Sequence, residues 1–418
     1  MGGFRGVVYT DFILFFTAMA GSIGAAIYIV NLPDVGGIDS IINNDSIKNK
    51  ISLFPDLTNK EILWTLLIIP LAVQWWSSWY PGAEPGGGGY IAQRMLAAKN
   101  ENHALGATLF FNIMHYALRP WPWIIVALAS LIVFPDIESI SQAFPNIETN
   151  KLGHDLAYPA MLTFLPTGLL GLVLASLVSA YMSTISTHLN WGSSYVVNDF
   201  YNQLINQKAS EEELVKVGRF SVVILMIISS IIALTLTNAY QLFDIILMFG
   251  AGTGLIFILR WFWWRINAWS EISAMISSGI ISIALTNEKI YSIIFNEFTL
   301  PHYMKFPLIV FITTIIWLTV TFITPADDNE TLVNFYKKTK PGGPGWSFIK
   351  KLDNIDKKEE RWIVPSGILC MIFGCLMIYS ALFSTGYFIY GYTFEAFVFL
   401  FFSIIFSILL YLYSKKLF

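Results

Sequence analysis

Apolar residues along this chain fall in long blocks separated by polar turns. Each block is about as long as a helix needs to cross hydrocarbon, roughly 20 residues. Ten blocks are predicted as spans, at 8–31, 62–80, 105–134, 159–190, 217–237, 240–260, 267–286, 305–324, 363–384 and 388–413. The pattern predicts an all-α, polytopic membrane protein with about ten transmembrane helices. Pro120 and Pro122, in RPWPW, should kink the third span, because a proline ring removes a donor and clashes with the preceding turn. The fourth span is long, and an amphipathic extension is expected to carry it to about Leu204. One stretch breaks the pattern: WWSSWYPGAEPGGGGYIAQR, Trp75 to Arg94, follows an apolar run without ending the apolar character of the chain.

Composition agrees with the blocks. The 418 residues are 55% hydrophobic and 13% charged, with a mean hydropathy of +0.61, whereas a soluble domain carries about 25% charge. A net charge of -3 gives no reason to expect a nucleic-acid partner. Cys370 and Cys375 share one apolar segment at a spacing that puts them on different helix faces, as small packing residues. Five scattered histidines form no metal spacing. The first residues, MGGFRGVVYTDF, are not expected to be a signal peptide, since the apolar block after them is too long and lacks a cleavage site.

Basic residues set an orientation. With the N-terminus in the cytoplasm, that side receives Arg5, Arg94, Lys99, Lys208, Lys216, Arg219, Arg260, Arg265, the basic run from Lys337 to Arg361, and Lys415 and Lys416. The other side receives Lys48, Lys50, Lys60, Lys151, Lys289 and Lys305. This asymmetry of roughly three to one alternates across the spans as the positive-inside rule requires. The expected location is the plasma (inner) membrane, multi-pass, with both termini cytoplasmic. The basic segment 326–361 is read as a cytoplasmic loop whose surface lies against anionic lipid.

Ionisable and hydroxyl residues inside spans are costly and point to function. Asp11, Glu84, the pair His115 and Arg119, and the hydroxyl run of the fourth span stand out. Pro81, Pro85 and the glycines 86–89 cannot sustain a helix, so Glu84 sits on irregular backbone. Such backbone is tolerated at membrane depth only where it lines a cavity or is buried in protein; alternatively the helix ends at Tyr80 and the stretch is a cytoplasmic loop. His115 and Arg119, four apart, share one face of an α-helix. Arg119 either pairs with Glu84 or, with His115, binds an anionic or carboxylate-bearing solute. In SAYMSTIST, hydroxyls of Ser183 and Thr184 either bond back to the preceding turn or offer hard oxygens to a small cation.

The ordered motifs GGFRGVVYTDF, YIAQRMLAAKN, SAYMSTIST with NDFY downstream, and a Gly-rich span ending in RWFWWRINAWSEI resemble the sodium/solute symporter family. That family includes sodium-coupled proline, pantothenate, sialic acid and sugar transporters. The resemblance implies a LeuT-like inverted-repeat core, and the first six spans here would be core helices five to ten, the first four core helices being absent. Domains would then be a transporter core at 1–325, which includes two peripheral helices, the basic cytoplasmic loop at 326–361, and two peripheral helices at 362–418. The broken stretch becomes core helix six, its glycines letting backbone approach the solute closely.

By the same resemblance, Na⁺ as coupling ion would bind weakly at Ala180, Ser183 and Thr184, with Ser186 and Thr187 as an alternative register. Asp11 would lie on the sodium path to the cytoplasm. An ungapped count from the QR pair sets His115 where sugar-transporting relatives bind substrate; Glu84 and Arg119 are expected as substrate contacts on the chemistry of the spans given above. Trp269-Ser270-Glu271 departs from the Gly-Ala pair of many relatives. The function implied is sodium-coupled import of a small organic solute, carboxylate-bearing in one reading, by alternating access. No enzyme activity is expected, for want of a nucleophile–base or metal spacing. The partners expected are the solute, the bilayer and a separate chain supplying the absent helices. The alternatives are a non-transporting sensor or structural membrane module, and one half of a split transporter.

Overall fold

The computed structural model describes residues 3–77, 89–234, 239–286, 288–295, 300–352, 362–415 and 417, and its regular elements there are helices without strands. The longer helices are α1 (Gly3–Val30), α2 (Glu101–Asn112), α3 (Trp121–Val133), α4 (Thr167–Ser194), α5 (Glu211–Ala233) and α6 (Ala239–Phe262). They continue with α7 (Ala268–Thr286), α8 (His302–Ile323), α9 (Asn329–Thr339), the short α10 (Ser347–Leu352), α11 (Val364–Ile389) and α12 (Thr393–Ser414). Eight helical runs among the described residues are long and apolar enough to cross a membrane, and Ile246–Phe262 is a shorter ninth. The expected span at 62–80 is helical through Gln74, and its last residues lie outside the described ones.

Several spans carry π turns, which sequence periodicity does not signal. Trp64–Ile68, Pro70–Gln74, Ile113–Leu118 and Tyr195–Ile205 are π-helical. The third span is thus interrupted before its prolines, and α3 restarts at Trp121 with Pro120 as its N-cap. The fourth does not begin at 159: Ala157–Leu162 is a separate short helix, and Pro166 stands in extended backbone (φ -64, ψ 148) as the N-cap of α4. Its extension reaches Ile205, as the amphipathic pattern predicts, but in π geometry.

The chain forms two compact units. The first comprises residues 1–52, 118–239 and 389–391; the second comprises 53–117, 240–388 and 392–418. In the first, α1 packs on α3 and α4, and α4 packs on α5. Small residues permit the approach: a Cβ on Gly21 would sit 3.6 Å from Ser176 Oγ, and one on Gly24 would crowd Leu169 at 3.2 Å. Between α4 and α5 the Ser193 hydroxyl donates to the Gly218 carbonyl at 2.9 Å. Ser210 caps α5 by accepting from the Glu213 amide, and three glutamates fill the first turn, where the positive helix end favours them.

The second unit is built on a different seam. Helices α7 and α8 run antiparallel, with the Thr321 hydroxyl donating to Ser270 Oγ at 2.7 Å. Ser278 donates across to the Phe249 carbonyl of α6 at 2.7 Å. Ser270, Ser277, Ser278, Ser282, Thr313 and Thr321 are all buried. Small side chains let three helices meet closely, and cross-helix hydroxyl bonds compensate polar groups removed from water. Two hydroxyls in the seam, Ser282 and Thr313, have no hydrogen-bond partner among the described residues.

Farther along α6, a Cβ on Gly254 would collide with the Trp76 carbonyl, and Trp76 Nε1 donates to the Ala251 carbonyl at 2.9 Å. Backbone therefore meets backbone at this crossing, and only glycine fits. Around it Ile69, Met248, Ala251, Leu285, Phe306, Ile309 and Val310 form a buried apolar cluster.

The basic segment after Pro325 folds on a core of its own. Leu332, Tyr336, Trp346 and Ile349 are buried together with Trp264 against them. Leu332 and Tyr336 are one turn apart on α9, so they share its inner face. The segment is fastened to the end of α6: Trp346 Nε1 donates to the Trp261 carbonyl at 2.9 Å, and the Trp264 amide donates to the Gly345 carbonyl at 3.3 Å. A Cβ on Gly345 would strike the Phe262 carbonyl. Asp328 caps α9, accepting from the Thr331 amide at 2.8 Å and hydroxyl at 2.6 Å. These hydrogen bonds, the hydroxyl's first, hold the Asp328 carboxyl below the usual aspartate range.

Candidate functional site

The hydroxyl run of α4 is the one predicted site whose oxygen atoms are described. Thr184 Oγ1 donates to the Ala180 carbonyl at 2.9 Å, and Thr187 Oγ1 donates to the Ser183 carbonyl at 2.9 Å. One turn further, His188 Nδ1 lies 3.0 Å from the Thr184 carbonyl. These are the back-bonds that serine and threonine make in apolar helices, where no water is at hand to satisfy the hydroxyl. Ala180 and Thr184 are exposed and Ser183 is half-buried. Tyr181 and Met182 beside them are also exposed, at 60% and 63%.

The donor set fits a small hard cation in chemistry. A back-bonded hydroxyl donates its hydrogen to the carbonyl and keeps its own lone pairs. Two hard oxygens 2.9 Å apart, Thr184 Oγ1 and the Ala180 carbonyl, can share one ion once the hydroxyl hydrogen rotates off the carbonyl. Neither oxygen carries a formal charge, so binding would be weak and reversible. A second surface must close over the strip to complete the coordination. Among the described residues no group of three or more His, Cys, Asp or Glu side chains is placed to hold a metal.

The remaining predicted residues are distributed as follows. Asp11 lies on α1, with its side chain outside the described residues, and Glu84 lies outside them altogether. His115, in the π turn Ile113–Leu118, stacks on Phe111 (centroids 5.0 Å, 20°) and meets Tyr116 edge-on at 4.7 Å. Arg119 occupies the turn before α3, its guanidinium 5.7 Å from the Trp123 ring, a cation–π arrangement. The shared-face argument for this pair assumes 3.6 residues per turn. The π turn between them has a wider repeat, so a spacing of four no longer fixes a common face.

Sequence reasoning missed two features. Arg260 Nη1 pairs with Glu271 Oε1 at 3.2 Å, tying the end of α6 to the start of α7. The signal was present in the opposite charges flanking Trp261–Ser270, but Arg260 was counted only towards orientation and Glu271 only as a departure. The second is the corner beyond it. Asn267 donates to Thr324 Oγ1 and to the Pro325 carbonyl, both at 2.9 Å, and accepts from the Ser270 amide. Arg265 Nη2 donates to the Thr324 carbonyl at 2.6 Å. One short turn thus anchors both the start of α7 and the end of α8.

Comparison with known proteins bears on these geometries. The Sodium:solute symporter family matches residues 1–278 of the chain. The sodium/myo-inositol cotransporter 2 of Homo sapiens is 29% identical over 319 residues, 68% of this chain and 45% of that protein. That of Oryctolagus cuniculus is 26% identical over 375 residues, 80% of this chain and 53% of that protein. The sodium/glucose cotransporter of Vibrio parahaemolyticus is 26% identical over 291 residues, 66% of this chain and 52% of that protein. The chain spans about half the length of the curated relatives it matches.

Proposed function

Because the chain belongs to the Sodium:solute symporter family, we propose that the protein containing it is a sodium-coupled secondary active transporter that imports a small organic solute by alternating access. The observation that carries the reading is the exposed strip on α4. There, in a helix otherwise suited to lipid, the Thr184 hydroxyl bonds back to the Ala180 carbonyl, and both residues are exposed. These two oxygens and the Ser183 hydroxyl are the cation ligands in this reading, and Asp11 lies on the ion's route towards the cytoplasm.

Coupling follows from linkage. If Na⁺ and solute each bind better to the state the other favours, each raises the other's affinity by the same factor. One Na⁺ crossing 100 mV releases about 2.3 kcal/mol, and a tenfold concentration gradient adds ~1.4 kcal/mol. That is enough to concentrate a neutral solute on the order of several hundredfold, so a weak site suffices.

For the solute, a neutral polyhydroxylated molecule comes first, since the relatives above are cotransporters of myo-inositol and of glucose by name. The Arg119–Trp123 contact supports a structural place for Arg119 rather than a carboxylate contact. Glu84 and His115 remain candidate solute contacts. The test is uptake by vesicles carrying the complete protein, offered polyols, hexoses, amino acids and carboxylates. Accumulation of one class in Na⁺, and none in choline or K⁺, is expected. Accumulation indifferent to replacing Na⁺ would sink the proposal.

A further inference from the structure

We propose that the folded segment 326–352, together with Trp362, is a binding surface for the anionic headgroups of the membrane leaflet it faces. It is bonded to the end of α6 through Trp346 and Gly345, it follows directly on the end of α8, and Trp362, just before α11, lies against it. This is the level of the bilayer interface, and the segment has the aromatic character of that level. Trp264 stacks on Phe348 at 4.5 Å, and Phe335 stacks on Trp346 at 5.4 Å. The Trp362 indole lies close over Gly342 and Gly343, where any Cβ would come within 3.0 Å of it.

Phe348, Leu352, Trp362 and Ile363 are each close to half exposed. A water-facing segment would hide these side chains; an interfacial one rests them among acyl chains and glycerol groups.

The charges are segregated to match. Acidic Asp328 and Glu330 stand at the start of α9, whereas Lys337 and Lys338 occupy its last turn and Lys350 and Lys351 the last turn of α10. Lys350 Nζ lies 5.5 Å from the Tyr336 ring, which brings the lysines of α10 to the basic end of α9. Lys340 stands beyond that end in left-handed backbone (φ 45), a position that normally takes glycine or asparagine. A lysine held there at a cost of about 1 kcal/mol, with glycines available two residues on, supplies charge rather than conformational ease. Helix dipoles account for lysines in the last turns but not for this one. A cluster of like charges on a small folded platform is stabilised by a fixed layer of opposite charge, and the headgroups of anionic lipid are such a layer.

The experiment uses the full chain in nanodiscs of phosphatidylcholine alone or with increasing phosphatidylglycerol. Lipid retained by the protein is measured by native mass spectrometry, and the thermal midpoint is followed by tryptophan fluorescence. The native chain should prefer phosphatidylglycerol and melt higher in it, with the preference lost in high salt. The variant Lys338→Gln/Lys340→Gln/Lys351→Gln should lose about tenfold or more of that preference, and the corresponding triple arginine variant should keep it. The arginine variant also reports whether the segment still folds. Equal preference in the native and glutamine proteins would overturn the proposal, as would a melting point in phosphatidylcholine that phosphatidylglycerol does not raise.

Discussion

Two helices of this protein are rich in hydroxyl side chains, and one run on each meets a different environment. On α7 the serines face protein: Ser270, Ser277, Ser278 and Ser282 are buried, and two of them bond to groups on other helices, Ser278 to the Phe249 carbonyl of α6 and Ser270 to Thr321 of α8. On α4 the Thr184 and Thr187 hydroxyls bond within their own helix, and the strip at Ala180 and Thr184 is exposed. Composition does not separate the two, since both helices carry serine and threonine at a similar density. Their bonding does. A hydroxyl committed to a buried neighbour fixes packing, and one that bonds back along its own helix on an exposed face stays within reach of a ligand.

The contrast is sharpest in function. Ser183→Ala with Thr184→Ala, in the complete protein, should abolish sodium-dependent uptake while the protein still inserts and is recovered at native yield. Retention of full sodium dependence would dissolve the distinction. The opposite pattern is expected on the seam. Ser278→Ala removes the cross-helix bond to the Phe249 carbonyl, so thermal stability should fall by about 1 kcal/mol while the Na⁺ concentration for half-maximal uptake stays put. A shift in that concentration would show that the seam, too, contributes to the ion site.

The smallest effect belongs to a third hydroxyl environment, the water-exposed Thr331–Asp328 cap. The carboxyl of Asp328 is held below its ordinary value by the Thr331 hydroxyl and then the Thr331 amide. Its support for α9 is therefore present above about pH 4 and lost as the pH falls through the lowered value. Fluorescence of Trp346 should report a slight loosening in acid that Asp328→Asn does not show. An identical acid profile in both proteins would remove the cap from the account.

How far these features could be read from the chain varies with the physics behind each. The spans were legible because membrane burial acts on every residue of a block, so a window of apolar residues carries the signal. The π turns were not. They arise when hydrogen bonds slip by one residue under tertiary packing, and IMHYAL has no composition that distinguishes it from an α turn. The segment after Pro325 was half legible. Its lysines announced an interface, but Leu332, Tyr336, Trp346 and Ile349 also form a core that only the fold makes evident. The α4 strip was readable as chemistry, since hydroxyls in an apolar helix are conspicuous. Whether they faced a neighbour was not, because serine is small and polar enough to serve either role.

The crossing of Trp76 with Gly254 has a mechanical consequence. With the Trp76 carbonyl resting directly on glycine and its indole bonded to Ala251, no flexible side chain cushions the joint. Neither strut can slide without breaking a bond and prying two main chains apart. A push delivered to the segment that leads into PGAEPGGGG is thus handed on to α6 undiminished, as a crank turns its shaft.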